Sequence, residues 1–191
     1  TLSQRRGLDV FETTGACASC HWTSVAEWPE PLLTDSGYDN IGAPGIGDKD
    51  PGLGGVTGKK EELGQFKVPT LRNVALTGPY LHNGSMKTLR EVIEFYNKRD
   101  VEKDRWGKPH FPATVNKDDM GDLKLSEQQV DDLVNLMEAF TDRSLSKMKK
   151  GQLFPEVPAG VPSTEERRAF FSDPPERVDV TLPRLPGRDG K

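Results

Sequence analysis

Two cysteines and a histidine lie together near the start of the chain, in the sequence Cys17-Ala-Ser-Cys20-His21. Covalent attachment of c-type haem requires this pattern, because each thiol adds to one haem vinyl group. His21 would then lie under the ring, where its imidazole can bind iron as the proximal ligand. A zinc site would need further ligands at similar spacing, and the chain has no other cysteine. A thioredoxin-type pair needs a βαβ setting and no adjoining histidine. The motif therefore predicts a protein with one covalently bound haem c.

The composition indicates a small domain that is rich in loops. The chain has 191 residues, of which 34% are apolar, with 15 prolines and 19 glycines. This length suits a single core, and a buried haem would supply apolar surface that a small helical core lacks. We therefore expect a mostly α fold. It should be a cytochrome c-like helical domain around one haem, with long ordered loops and an extended C-terminal tail.

Charge and hydropathy exclude some partners and predict a compartment. The formal net charge is −4 and the sequence has no basic stripe, which argues against nucleic acid as a partner. No apolar run reaches the length of a membrane span, so no transmembrane segment is expected. The sequence begins at Thr1 without a signal peptide, which favours a mature or partial chain. Because haem c is attached outside the cytoplasmic membrane, we expect a periplasmic or equivalent location.

The first half of the sequence predicts one helix and one long loop. Residues 2–14 have the apolar spacing of a short helix that ends just before the cysteine motif. Residues 22–65 have almost no periodicity and contain many glycines, which indicates a long loop. A loop of this length inside a compact domain needs a rigid group to pack on, and haem would serve.

Two further helices are predicted by capping boxes. Thr88 followed by Glu91 begins one helix, whose apolar face includes Tyr96 and therefore turns that residue inward. Ser126 followed by Gln129 begins another, with an apolar stripe that should pack across the domain.

The composition changes after residue 150, which suggests a domain boundary. Residues 1–150 are expected to form the haem domain, and residues 151–191 a proline-rich extended tail. Such a tail is either a solvated terminus or a strap that binds a partner subunit.

The residues alone leave the sixth iron ligand open. Histidine, methionine and tyrosine are all known axial ligands of haem iron. His82 lies in a turn-like segment and could bind iron or hydrogen-bond a haem propionate. Met86 follows that turn and could reach the iron or fill a gap in the core.

A longer segment of the sequence resembles a known family. The resemblance is carried by residues 66–74, residues 77–85, Thr88-Leu89 and Tyr96-Asn97. These segments resemble the C-terminal haem domain of the bacterial di-haem cytochrome c peroxidases, a family that includes the MauG-type enzymes. The resemblance extends from about residue 5 to about residue 142.

The resemblance implies roles for individual positions. Tyr96 lies where this family has the distal ligand of its second haem, which is methionine in typical peroxidases and tyrosine in MauG-type members. Tyr96 is therefore the expected sixth ligand, with Met86 as the alternative, and a phenolate there implies a haem of low potential. Arg72 and His82 are implied to lie beside the haem. The backbone carbonyls of Thr77 and Pro79 are implied to help bind a calcium ion.

The sequence contains one haem motif where this family has two. We therefore expect a redox domain or subunit of a di-haem oxidoreductase that relays electrons or oxidising equivalents to a second haem carried elsewhere. Its partners would be that haem-bearing domain or subunit and a redox protein donor or acceptor. No complete peroxidase site is visible in this sequence. A free-standing mono-haem electron carrier and a haem-bearing docking subunit of a multihaem assembly are the alternatives.

Overall fold

The computed structural model describes residues 1–23 and 31–142. The predicted tail, residues 151–191, lies outside the described residues. Five α-helices and two short strands form the described part: α1 (Leu2–Glu12), β1 (Tyr38–Asp39), α2 (Leu53–Thr57), β2 (Phe66–Lys67), α3 (Leu89–Lys98), α4 (Lys103–Trp106) and α5 (Glu127–Ala139). Single 3₁₀ turns occur at Cys17–Ser19, Lys60–Glu62, Val74–Leu76 and Pro112–Thr114. The regular structure is thus mainly helical, as the sequence predicts.

Side-chain caps explain where the three longer helices begin. The Thr88 hydroxyl accepts a hydrogen bond from the Glu91 amide, and the Glu91 carboxylate accepts one from the Thr88 amide, which confirms the first predicted capping box. Ser126 and Gln129 make the same pair of bonds, which confirms the second. Helix α1 also begins with a capping box, between Thr1 and Gln4.

Helices α1 and α5 pack closely together and contribute most of one core. Val10 and Phe11 of α1 meet Val130 and Leu133 of α5, and all four side chains are buried. Helix α3 joins this core through Ile93. A second apolar cluster forms on the other side of α3 around three buried residues, Met86, Phe95 and Trp106. Helix α3 therefore separates the two clusters, with side chains directed to each.

The described residues of the predicted loop, residues 22–65, contain little regular structure beyond β1, the short helix α2 and one 3₁₀ turn. Strand β1 pairs antiparallel with β2, which directly follows this loop, with Asp39 opposite Phe66. The buried Asn40 amide donates hydrogen bonds to the Phe111 carbonyl, at 3.0 Å, and to the Thr114 hydroxyl, at 2.8 Å. The buried Arg99, the residue directly after α3, donates to the Ile41 carbonyl at 2.9 Å. These buried polar side chains connect the loop to the helical core.

Within residues 1–23 and 31–142, no helix is long and apolar enough to cross a membrane.

Candidate haem site

A largely apolar cavity of about 430 Å³ lies between the helices and the loop. It lies within the ~300–1,000 Å³ range of ligand-binding pockets. Phe11 of α1, Ile93 of α3 and Leu133 of α5 contribute apolar wall. The loop contributes residues 66–71 from one side. Cys17, Cys20, His21, Tyr96 and His82 line this same cavity. The fold therefore brings the cysteine motif to one apolar cavity together with Tyr96 and His82, two of the donors that the sequence left open.

The 3₁₀ turn Cys17–Ser19 positions the two thiols. Ala16 adopts a left-handed backbone conformation, with φ of 51°, directly before the turn. The His21 amide donates a hydrogen bond to the Cys17 carbonyl at 2.9 Å, which closes the turn. Both cysteines are free thiols, and burial raises the pKa of Cys17 to about 12 and also raises that of Cys20. Both sulfurs are therefore protonated at neutral pH.

One nitrogen of the His21 ring is hydrogen-bonded to the backbone of the loop. Its Nδ1 lies 2.9 Å from the Leu33 carbonyl oxygen. A hydrogen bond there places the proton on Nδ1 and leaves Nε2 with a lone pair, which is the form of imidazole that binds iron. Burial lowers the pKa of His21, which favours the neutral ring.

Tyr96 presents a phenol to the cavity from helix α3. Among the described residues, its hydroxyl makes no hydrogen bond, although a buried tyrosine hydroxyl usually finds a partner. Burial raises the pKa of this phenol, and negative charge on Cys17, Cys20 or Asp39 would raise it further. The phenol is therefore neutral unless a cation is bound beside its oxygen.

The structure separates the remaining sequence-predicted residues into two groups. His82, Thr77 and Pro79 line the cavity, and the His82 ring stacks on Phe66 with 3.7 Å between the ring centroids and 8° between the planes. Met86 is buried in the second apolar cluster and is not among the residues that line the cavity. Arg72 is exposed and also lies outside the lining.

Polar groups that the sequence did not point to also face the cavity. Asp39 and Asp119 both line it. The Asn116 amide nitrogen bridges them, with 2.7 Å to an Asp39 oxygen and 3.0 Å to an Asp119 oxygen. Burial raises the pKa of Asp39, and the Asn116 hydrogen bond opposes that rise. Met120 lies beside Asp119 on the same wall. Asp119 and Met120 lie in an irregular loop, where no periodicity in the sequence indicates which side chains face inward.

The residues present fit haem c. The cavity is apolar enough for a porphyrin, and its wall carries two free thiols at the attachment spacing and the imidazole of His21. No other group of residues in the described ranges competes as a metal centre, since no cluster of three or more His, Cys, Asp or Glu side chains is placed to hold an ion there.

Comparison with known proteins agrees with this fit. MauG, the methylamine utilization protein of Paracoccus denitrificans, is 35% identical over an alignment that spans 72% of this chain and 42% of the relative. Cytochrome-c peroxidase IdrP1 of Denitromonas iodatirespirans is 31% identical over 72% of this chain and 40% of its own length. The crystal structure of the diheme peroxidase BthA from Burkholderia thailandensis superposes with a TM-score of 0.67 at 30% identity. That superposition covers 75% of this chain and 43% of BthA.

The chain belongs to the di-haem cytochrome c peroxidase/MauG family. No protein-family model matches it. The family that the sequence indicated is confirmed, and haem c is the cofactor that family membership implies. The chain spans less than half the length of the relatives described above. The activity, substrates and partners of a whole di-haem enzyme are therefore considered below as proposals.

Proposed function

We propose that this chain is the c-type haem redox domain or subunit of a di-haem peroxidase or MauG-type oxidoreductase. It would exchange electrons or oxidising equivalents with a second haem carried elsewhere. The observation that supports this function is the meeting of Cys17, Cys20, His21 and Tyr96 at one apolar cavity. Family membership supports the same reading. We place the protein in the periplasm or an equivalent compartment, where haem c is attached.

In this proposal the chain holds the cofactor through two cysteine sulfurs, one histidine nitrogen and one tyrosine oxygen. Cys17 and Cys20 form the thioether bonds, and His21 Nε2 binds the iron. Tyr96 supplies the sixth ligand through its phenolic oxygen, which has no hydrogen bond in the described structure. When bound, haem c supplies an iron centre that exchanges single electrons. Burial opposes ionisation of Tyr96, so its phenolate forms only beside a cation.

Ligation by tyrosine would determine which oxidation state of the iron is stabilised. Phenolate is a hard anionic donor that favours ferric iron, whereas the thioether of methionine favours ferrous iron. The burial of Met86 away from the cavity makes it a poorer candidate than Tyr96. A tyrosine-ligated centre of low potential suits a role in storing oxidising equivalents better than a role as a high-potential carrier.

Residues that line the cavity support two secondary proposals. His82 lines the cavity beside Phe66 and would contact the haem edge, and burial lowers its pKa, which favours the neutral ring. No hydrogen bond within the described residues ends on the carbonyl oxygens of Thr77 or Pro79. Both oxygens are therefore available to a hard cation such as calcium, with the remaining ligands supplied by a partner domain. Arg72, exposed in this chain, would reach a propionate only if its side chain turned toward the cavity.

The proposal is tested with the haem-loaded protein as isolated, together with any second haem subunit that co-purifies. Ferric protein is mixed with hydrogen peroxide in a stopped-flow instrument, and haem absorbance and peroxide consumption are followed together. The Cys17→Ser/Cys20→Ser double variant serves as the control that lacks covalent haem. Spectral change with stoichiometric peroxide consumption is expected. Haem that is inert to peroxide yet cycles rapidly between ferrous and ferric states at high potential would contradict the proposal.

That contradictory result is the signature of the second candidate function, a free-standing mono-haem electron carrier. A single haem motif in the sequence favours it. A haem-bearing docking subunit is the third candidate, and it depends on residues 151–191, which lie outside the described residues. Deletion of those residues would test it, because an assembly that survives the deletion unchanged removes their role as a strap.

A further inference from the structure

Met120 lines the haem cavity without belonging to either apolar cluster of the described residues. Its side chain is half-buried and forms part of the cavity wall. The residues packed in the two clusters do not include it. A buried methionine usually fills a gap in a core, because its thioether chain is flexible and apolar. The apolar environment of Met120 is the cavity instead.

Backbone hydrogen bonds hold Met120 beside Tyr96. The amide of Gly121, the next residue, donates to the Tyr96 carbonyl at 2.6 Å. The Gly121 carbonyl accepts a hydrogen bond from the Asp100 amide at 2.9 Å. The Arg99 guanidinium donates to the Met120 carbonyl at 3.2 Å. The backbone of Met120 is therefore fixed against the C-terminal end of α3, one residue away from the hydrogen bond to Tyr96.

The other described methionines have different surroundings. Met86 is buried in the second apolar cluster and does not line the cavity. Met137 lines the cavity, but it is only 6% exposed and belongs to the first cluster. Of the three methionines in the described residues, Met120 alone lines the cavity and belongs to neither cluster.

Tyr96 and Met120 are donors with opposite preferences for iron. A phenolate is a hard anionic donor that favours ferric iron, whereas a thioether is a soft neutral donor that favours ferrous iron. The methionine side chain is unbranched and has three rotatable bonds, so its sulfur can move while the backbone stays anchored. The cavity thus offers each oxidation state of a bound iron the donor that it prefers.

We infer that Met120 is a second axial ligand that replaces Tyr96 when the haem iron is reduced. This inference rests on the proposed function, in which His21 and Tyr96 bind ferric iron. A redox protein donor supplies one electron, which the iron takes up. The bond to the Tyr96 oxygen breaks, and that oxygen gains one proton from solvent. A lone pair of the Met120 sulfur forms the new bond, and oxidation of the iron reverses these changes.

X-ray absorption at the iron edge tests the exchange, because it separates sulfur ligands from oxygen ligands. The haem-loaded protein is measured as isolated, first ferric and then reduced with dithionite. We expect reduction to add one sulfur ligand, and Met120→Leu to lose that ligand and lower the midpoint potential. Met86→Leu is the matched control and should keep the sulfur ligand. Subtracting the Met120→Leu spectrum from that of the unmutated protein removes the contribution of any second haem.

Tyr96→Phe supplies a second measurement. Without the phenol, Met120 should also bind ferric iron, which gives the weak far-red absorption band of methionine-ligated ferric haem. The double variant Tyr96→Phe/Met120→Leu should lack that band. The band should persist in Tyr96→Phe/Met86→Leu.

The outcomes separate the ligand exchange from the proposed function. Reduced protein without a sulfur ligand, or with one that survives in Met120→Leu, would overturn the exchange and leave Tyr96 as the ferric ligand. Absence of the far-red band from Tyr96→Phe would also overturn the exchange alone. An unchanged ferric spectrum in Tyr96→Phe would remove Tyr96 from the iron, and both the ligand set of the proposed function and the exchange would fall.

Discussion

Gly7 of α1 lies directly against the backbone of Asp132 in α5, so close that a Cβ atom at Gly7 would be 2.2 Å from the Asp132 carbonyl oxygen. This contact lets the two helices approach, and Phe11 and Leu133 from the same pair line the haem cavity. The shape of the cavity therefore depends on a missing side chain at Gly7.

Substitution of Gly7 by alanine should destabilise the protein. Alanine is favoured over glycine in a helix by about 1 kcal/mol, but forcing a methyl group into a packed interface costs roughly 1–3 kcal/mol. Because the atom in contact is backbone, it cannot rotate away, and a net loss is expected. Thermal unfolding followed by circular dichroism would measure it. Arg5→Ala, on the exposed face of the same helix, is the control and should change the melting temperature little. An unchanged melting temperature in Gly7→Ala would refute the close approach.

Asp132 also makes the stability of the fold depend on pH. Its carboxylate accepts hydrogen bonds from Arg6 at 2.7 and 2.8 Å and another from Ser3, and these bonds hold its pKa at about 2. An unfolded aspartate has a pKa of about 3.9. The stabilisation is therefore complete above about pH 4 and is lost as the pH falls toward 2.

Asp132→Asn should lower the melting temperature at pH 7, and its difference from the unmutated protein should shrink below about pH 4. Asp131→Asn is the matched control, because Asp131 lies on the same helix but is 54% exposed in its pairing with Arg90. Equal losses in the two variants would show that the Arg6–Asp132 pair contributes no more to stability than the exposed Arg90–Asp131 pair.

Substitution of the two cysteines should remove the covalent attachment of haem one bond at a time. Cys17→Ser and Cys20→Ser should each retain haem through one thioether, and the double variant should lose it on a denaturing gel stained for haem. The α band of the reduced pyridine complex should shift once for each thioether removed. Retention of covalent haem by the double variant would contradict the assignment of these two residues.

Replacement of Tyr96 tests the sixth ligand. Tyr96→Phe should change the ferric spectrum and raise the midpoint potential, since loss of a phenolate ligand removes stabilisation of ferric iron. Tyr38→Phe is the control, because Tyr38 is 49% exposed and does not line the cavity. A ferric spectrum that is identical in Tyr96→Phe and unmutated protein would remove Tyr96 from the iron.

Local signals in the sequence predicted some of these features, and contacts between distant segments determined the others. The caps at Thr88 and Ser126 and the spacing of Cys17 and Cys20 depend on residues a few positions apart, so the sequence alone carries them. The inward face of Tyr96 follows from helical periodicity in the same way. No local pattern places Gly7 against Asp132, because the two residues meet only when the terminal helices pack.

Loop residues at the haem site could not be placed from the sequence for the same reason. Met86 could be judged from sequence only as a methionine after a turn, and its burial beside Phe95 depends on how that turn packs on α3. Asp119 and Met120 reach the cavity wall through an irregular segment held by Asn116, which has no periodicity to interpret.

As proposed, this chain carries one haem of a di-haem oxidoreductase. The decisive experiment is native mass spectrometry of the protein isolated from its source, with haem counting by the pyridine complex. We expect one covalent haem on this chain and at least one more haem in the same intact particle. A particle of one chain with a single haem would contradict it and would favour the mono-haem electron carrier.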